Sequence, residues 1–144
     1  MKKKIIYIVT CFFLTHLCYA QGTRLLRDPD LSQSHITFTY ASDVWIVKKS
    51  GGLAKRITST PAIEKTPYFS PDGKWIAFTS NRSGKNNAFI VSVAGGTPTQ
   101  LTWHPSGSAV RGWTPDGKAV LIASNRDSAP SSCSLVPRPS SIGP

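Results

Sequence analysis

The chain has 144 residues, with 17 Lys and Arg against 7 Asp and Glu and a formal net charge of +10. Beyond residue 20 the cations stand singly or in pairs at turns and strand edges, where they keep sheets from pairing with other chains. With no basic helix and no nucleic-acid motif, a nucleic-acid partner is excluded. Cys11 and Cys18 fall in the first twenty residues and leave Cys133 alone, which excludes an internal disulfide and a structural zinc centre.

Met1-Lys2-Lys3-Lys4 is a positive n-region, Ile5 to Leu17 is mostly apolar, and small residues follow at Cys18 and Ala20. This is the pattern of a secretory signal cut after Ala20, giving an exported, periplasmic or secreted, protein. The run is shorter than the ~20 residues of a membrane span. Acylation of Cys18 is the weaker alternative, because Leu17 stands where a small residue is wanted. Cleavage would leave 14 basic and 7 acidic residues, a net +7.

Next come "ITFTY" and "DVWIV", then a longer unit. In it, a short strand at Tyr68–Ser70 leads through Pro71-Asp72-Gly73 to a strand at Trp75–Thr79. After the polar loop Ser80–Asn86 come a strand at Asn87–Val93, a Gly-Gly turn and a last strand at Thr99–Thr102. The strands are β-branched and aromatic. In the turn, proline presets φ, aspartate bonds the backbone ahead of it, and glycine takes positive φ.

The unit recurs. Gly51-Gly52 returns as Gly95-Gly96, Ile57-Thr58 as Leu101-Thr102, Phe69 as Trp113, Pro71–Lys74 as Pro115–Lys118, and Ser80-Asn81-Arg82 as Ser124-Asn125-Arg126, each 44 positions on. One offset held across so many landmarks marks a structural repeat. Four antiparallel strands per period of about 40–45 residues predict an all-β chain, a β-propeller of four-stranded blades. The expected layout is a signal peptide at 1–20 and a partial propeller at 21–128. Blade 1 would run from about 35 to 72, blade 2 from about 73 to 116, and blade 3 would start at 117–128. About two and a half blades fall short of the 4–8 that typically close a ring, so the chain is expected to fold poorly alone. The stretch 129–144, rich in serine and proline, is expected to be a divergent tail. It reads either as a linker or as sequence after a break in frame.

The residues also resemble a known family. "LLRDPDLSQSHITFTYASDVWIVKKSGGLAKRITS", "FSPDGKWIAFTSNRSG", "GGTPTQLTWHP" and "RGWTPDGKAVLIASNR" resemble the N-terminal propeller of tricorn proteases, from about Thr23 to Ser128. The Pro-Asp-Gly-Lys repeat alone is shared with TolB and other propellers. TolB-type proteins carry a small α/β domain ahead of the propeller, for which there is no room here. The resemblance implies a large exported serine peptidase as parent, in which propellers gate and channel peptides. The catalytic serine and histidine would lie far downstream, so none is carried over onto this sequence. Two alternatives stay open: a TolB-like periplasmic protein-binding propeller, and the propeller of another exported hydrolase. A homo-oligomeric parent is left open.

No cofactor or metal is expected. His35 and His104 lack ligands at metal spacing. Asp72 and Asp116 sit in turns, which outweighs any acid/base role, and no serine stands in a Gly-x-Ser-x-Gly elbow. Trp45 and Trp113 align with Phe89 and Phe69 and read as core, while Trp103 has no such assignment. Arg82 and Arg126 occupy corresponding loops, where they either contact a peptide at the channel or brace the neighbouring loop.

Overall fold

A computed structural model describes residues 25–124 and 132–139. The expected signal peptide and Arg126 lie outside the described residues. Every regular element among the described residues is a strand. The first sheet holds β1 (Arg27–Leu31), β2 (His35–Tyr40), β3 (Asp43–Lys48) and β4 (Lys55–Arg56). The second holds β5 (Glu64–Phe69), β6 (Trp75–Ser80), β7 (Asn87–Ser92) and β8 (Thr99–Gln100). The third holds β9 (Ser108–Trp113), β10 (Ala119–Ser124) and β11 (Ser132–Pro137). Each sheet is an antiparallel meander in chain order. The first strands of successive sheets pack beside one another, β1 on β5 and β5 on β9, and so face the axis of an open propeller.

The sheets correct the expected layout in two places. The boundaries 35–72, 73–116 and 117–128 each cut a sheet after its first strand. The reason is β1: "RDPDL" has no β-branched residue and is held from outside. Asp30 Oδ2 accepts a hydrogen bond from Phe69 N at 2.7 Å, and Asp28 Oδ2 one from Thr66 N at 3.1 Å. Strand propensity cannot show such bonds to a neighbouring sheet. The second correction concerns the tail. Residues 132–137 form the third strand of the last sheet, paired with β10 from Ala119↔Pro137 to Ser124↔Ser132. Val136 packs against the core of the preceding seam, and the Arg138 guanidinium lies 5.8 Å from the centre of the Trp75 ring. Pro137 is tolerated because it ends the strand, where no ladder bond is lost.

Two apolar seams join the three sheets. Val44, Ile46 and Ile57 pack against Phe69, Ile76, Phe78, Phe89 and Val91. On the other side of the second sheet, Trp75, Ala77, Ala88, Ile90 and Leu101 pack against Val110, Val120 and Ile122. Both faces of β6 are therefore covered, and all six of its residues are buried. The Pro-Asp-Gly turns repeat atom for atom. Ser70 Oγ accepts from Trp75 N at 2.9 Å and Thr114 Oγ1 from Ala119 N at 3.0 Å, with Gly73 and Gly117 both at φ 67°.

A second repeated device closes the outer edges of the first two sheets. Thr58 Oγ1 accepts from Val44 N at 2.8 Å and donates to Asp43 Oδ1 at 3.3 Å. Forty-four residues on, Thr102 Oγ1 accepts from Ala88 N at 2.9 Å and donates to Asn87 Oδ1 at 3.0 Å. Arg56 and Gln100 hold the same threonines through their carbonyls, at 2.9 and 2.6 Å. The sequence differs at two of the three positions, but the hydrogen-bond roles are kept.

Candidate functional site

In such a meander the turns after β2 and β6 lie at the same end as the connections β4–β5 and β8–β9. At this end a seam bond repeats. Glu64 N donates to Ser42 O at 2.9 Å, and Ser108 N donates to Asn86 O at 2.6 Å. A groove opens at each seam. The first, about 520 Å³, is lined by Arg27, Asp28, Tyr40–Ser42 and Ile63–Lys65. The second, about 380 Å³, is lined by Lys85, Asn86, Ser106–Ala109, Arg111, Ala123 and Ser124. Asp28, Ala41 and Ser42 on the first groove, and Thr66 just after it, are the non-glycine residues with left-handed φ among the described residues. Backbone strain of this kind concentrates at ligand-binding positions.

Arg82 stands beside the first groove, paired with its lining residue Glu64. Its Nη2 lies 2.6 Å from Glu64 Oε1, and its backbone N and Nε both donate to Ser80 Oγ. The guanidinium stacks 4.8 Å from the centre of the Phe89 ring and 5.5 Å from that of Phe78. Glu64 is wholly buried, so the guanidinium is the neighbouring charge that makes its burial tolerable. Thr60 Oγ1 also donates to Oε1 at 3.1 Å, whereas Oε2 has no partner among the described residues. Asn81 Oδ1 accepts from Ile63 N at 2.8 Å and ties the same loop to the β4–β5 connection.

Sequence reasoning missed Glu64, because its charge reads as a solvated face until the fold buries it. Among the described residues the second groove has no acidic lining residue but carries Lys85 and Arg111, both exposed. Trp113 caps the inner end of its seam, donating from Nε1 to Tyr68 O at 3.0 Å, and Trp103 is 73% exposed. Asp72 and Asp116 face the opposite end. Ser70 and Thr114 hydroxyls, aided by the Lys74 and Lys118 amides, hold both carboxyls below the usual range. Among the described residues no cluster of His, Cys, Asp and Glu has the makings of a metal site.

Residues 23–137 match the family described as the tricorn protease N-terminal beta propeller domain. The chain belongs to that family. It is 37% identical over 59 residues to tricorn protease homolog 1 of Streptomyces coelicolor, covering 41% of this chain and 6% of that protein. It is 50% identical over 44 residues to the Tol-Pal system protein TolB of Bordetella pertussis, covering 30% of this chain and 10% of that protein. Among solved structures, TolB of Acinetobacter baumannii superposes with a TM-score of 0.68 at 22% identity, over 80% of this chain and 31% of that one. The tricorn protease superposes with a TM-score of 0.61 at 24% identity, over 69% of this chain and 11% of that one. At these identities the superpositions show a shared fold. The matched stretches are a tenth or less of the lengths of these two curated relatives.

Proposed function

We propose that this propeller is the N-terminal part of an exported serine peptidase of the tricorn type, where it admits and steers peptides and performs no chemistry itself. The observation that carries the reading is the family match over residues 23–137. The lysine-rich start and apolar run of the first twenty residues support export. The repeated grooves beside the inner strands support peptide handling: they offer backbone groups and charges at regular intervals, which suits an extended chain. In this reading Arg82 acts through the loop it holds, because its guanidinium is engaged with Glu64.

A second reading rests on the likeness to TolB: a propeller that binds a protein partner and belongs to no peptidase. One experiment separates the two. A cell-envelope extract is labelled with a fluorophosphonate, which reacts with activated serines. Labelled bands are then searched by mass spectrometry for the tryptic peptide Trp75–Arg82, "WIAFTSNR". Finding it in a labelled polypeptide supports the peptidase. Finding it only in unlabelled material that co-purifies with another protein rejects the peptidase in favour of the binding propeller.

A further inference from the structure

The turns after β1, β3, β5, β7 and β9 lie at the end of the propeller opposite the grooves. In two of them one carboxylate offsets one lysine, Asp72 beside Lys74 and Asp116 beside Lys118. The surplus charge at this end gathers in the β3–β4 connection, where Lys48, Lys49 and Lys55 are exposed and no carboxylate stands between them. The β7–β8 connection repeats the same backbone. Gly51 N donates to Lys48 O and Gly95 N to Ser92 O, both at 2.9 Å. The glycine pairs that follow are left-handed in both, at φ 87° and 115° in the first and 102° and 118° in the second.

The side chains on that shared backbone differ. Lys48, Lys49, Leu53 and Lys55 stand where the second sheet has Ser92, Val93, Thr97 and Thr99, each 44 positions on. The turn is therefore built equally well without the lysines and the leucine. Lys55 Nζ donates to Ala94 O at 2.7 Å and ties the first connection to the second. Leu53, just past the glycines, is 100% exposed. One exposed leucine is ordinary on a protein surface. A leucine at the tip of a turn flanked by lysines joins the two contributions that hold peripheral proteins on lipid, apolar insertion and attraction to anionic headgroups. An acidic polypeptide would use the lysines and leave the leucine in water, so the pair of features favours lipid. We propose that the β3–β4 connection docks this end of the propeller on an anionic phospholipid surface, with Leu53 entering between headgroups and Lys48 and Lys49 facing their phosphates. This inference is independent of the peptide handling proposed above.

The test uses the full chain and backbone-amide NMR. The probes are nanodiscs of phosphatidylcholine alone, nanodiscs of phosphatidylcholine mixed with phosphatidylglycerol, each with a spin-labelled headgroup, and soluble polyglutamate. The readout is the broadening of the Gly51, Gly52 and Leu53 amides, which reports contact at the tip whether or not residues 1–20 also bind lipid. Gly95, Gly96 and Thr97 are the control within the same molecule. The first set should broaden on the anionic discs, and much less on the neutral ones or in high salt, which screens surface charge. The triple variant Lys48→Ser, Lys49→Val, Leu53→Thr gives this turn the residues that the second sheet already carries. It should weaken the contact by about twentyfold or more, at about fivefold per lysine. Leu53→Ser alone should weaken it while the salt dependence persists. Equal broadening on neutral and anionic discs, equal broadening of both turns, or broadening that survives the triple variant overturns the proposal. A tip that shifts with polyglutamate and is broadened by neither disc overturns it in favour of an acidic polypeptide. Absence of any effect at the tip with all three probes also overturns it.

Discussion

Replacing Arg82 by methionine keeps much of the apolar stem over Phe78 and Phe89 and removes the charge facing Glu64. The carboxylate is then buried with only the Thr60 hydroxyl on Oε1 and nothing on Oε2. Stranding one member of a buried pair costs about 3–5 kcal/mol. Here the guanidinium is 19% exposed, so water reaches the pair from one side and the lower end of that range applies. With a urea slope of ~2 kcal/mol per M for a chain of this size, 3 kcal/mol moves the midpoint down by about 1.5 M. The double variant Arg82→Met, Glu64→Leu removes both charges and should recover much of that loss, because desolvation no longer opposes folding. The assay is urea unfolding of the full chain followed by tryptophan fluorescence. Trp75 and Trp113 report on the second and third sheets. A single variant less than ~0.5 kcal/mol below wild type, or a double variant as unstable as the sum of the two singles, would refute the reasoning. Either outcome would mean that Glu64 is hydrated and the pair contributes nothing.

Thr102→Val leaves the buried Ala88 amide without its acceptor and should cost about 1–3 kcal/mol, and Thr58→Val should cost a similar amount through Val44; thermal unfolding of each variant checks both. Gly107→Ala places a Cβ 3.1 Å from Asn86 O at φ +76° and should destabilise by at least ~1 kcal/mol, read in the same melt. Ile122→Ala opens a cavity in the seam between the second and third sheets and should cost about 2–5 kcal/mol in urea. Because the folded pKa of Asp72 lies below its unfolded value of about 4, its contribution is present above pH ~4. It is lost as pH falls through the lower folded value. Asp72→Asn should therefore flatten part of the acid limb of the stability curve, and an unchanged acid limb would contradict the Ser70 contact.

Glu64 and Ser108 show where sequence reading stopped. They stand 44 residues apart, as do Gly73 and Gly117, yet only the glycines announced themselves as equivalent. A glycine in a Pro-Asp-Gly turn is required by its own backbone, whereas the Glu64 carboxylate is specified by Arg82, eighteen residues away across a ladder. The same distinction separates β6 from β1. "WIAFTS" declares itself through β-branched and aromatic residues, but "RDPDL" becomes a strand through bonds that Asp28 and Asp30 make to the next sheet. The tail was misread for a related reason. The two serines and the proline of 132–137 have low strand propensity, and the backbone of β10 supplies the pairing that propensity does not.

The sequence by itself determined the all-β class, the 44-residue period, the turn chemistry and the blade as the unit of architecture. These depend on local conformational preference and on repetition, both of which are written residue by residue. Only the tertiary structure decided that β1 opens the first sheet, that Arg82 is held by a buried carboxylate, and that the next seam lacks one. Those features are pair interactions across the propeller. A charge alone in the chain carries no mark of whether its partner will be water or another side chain.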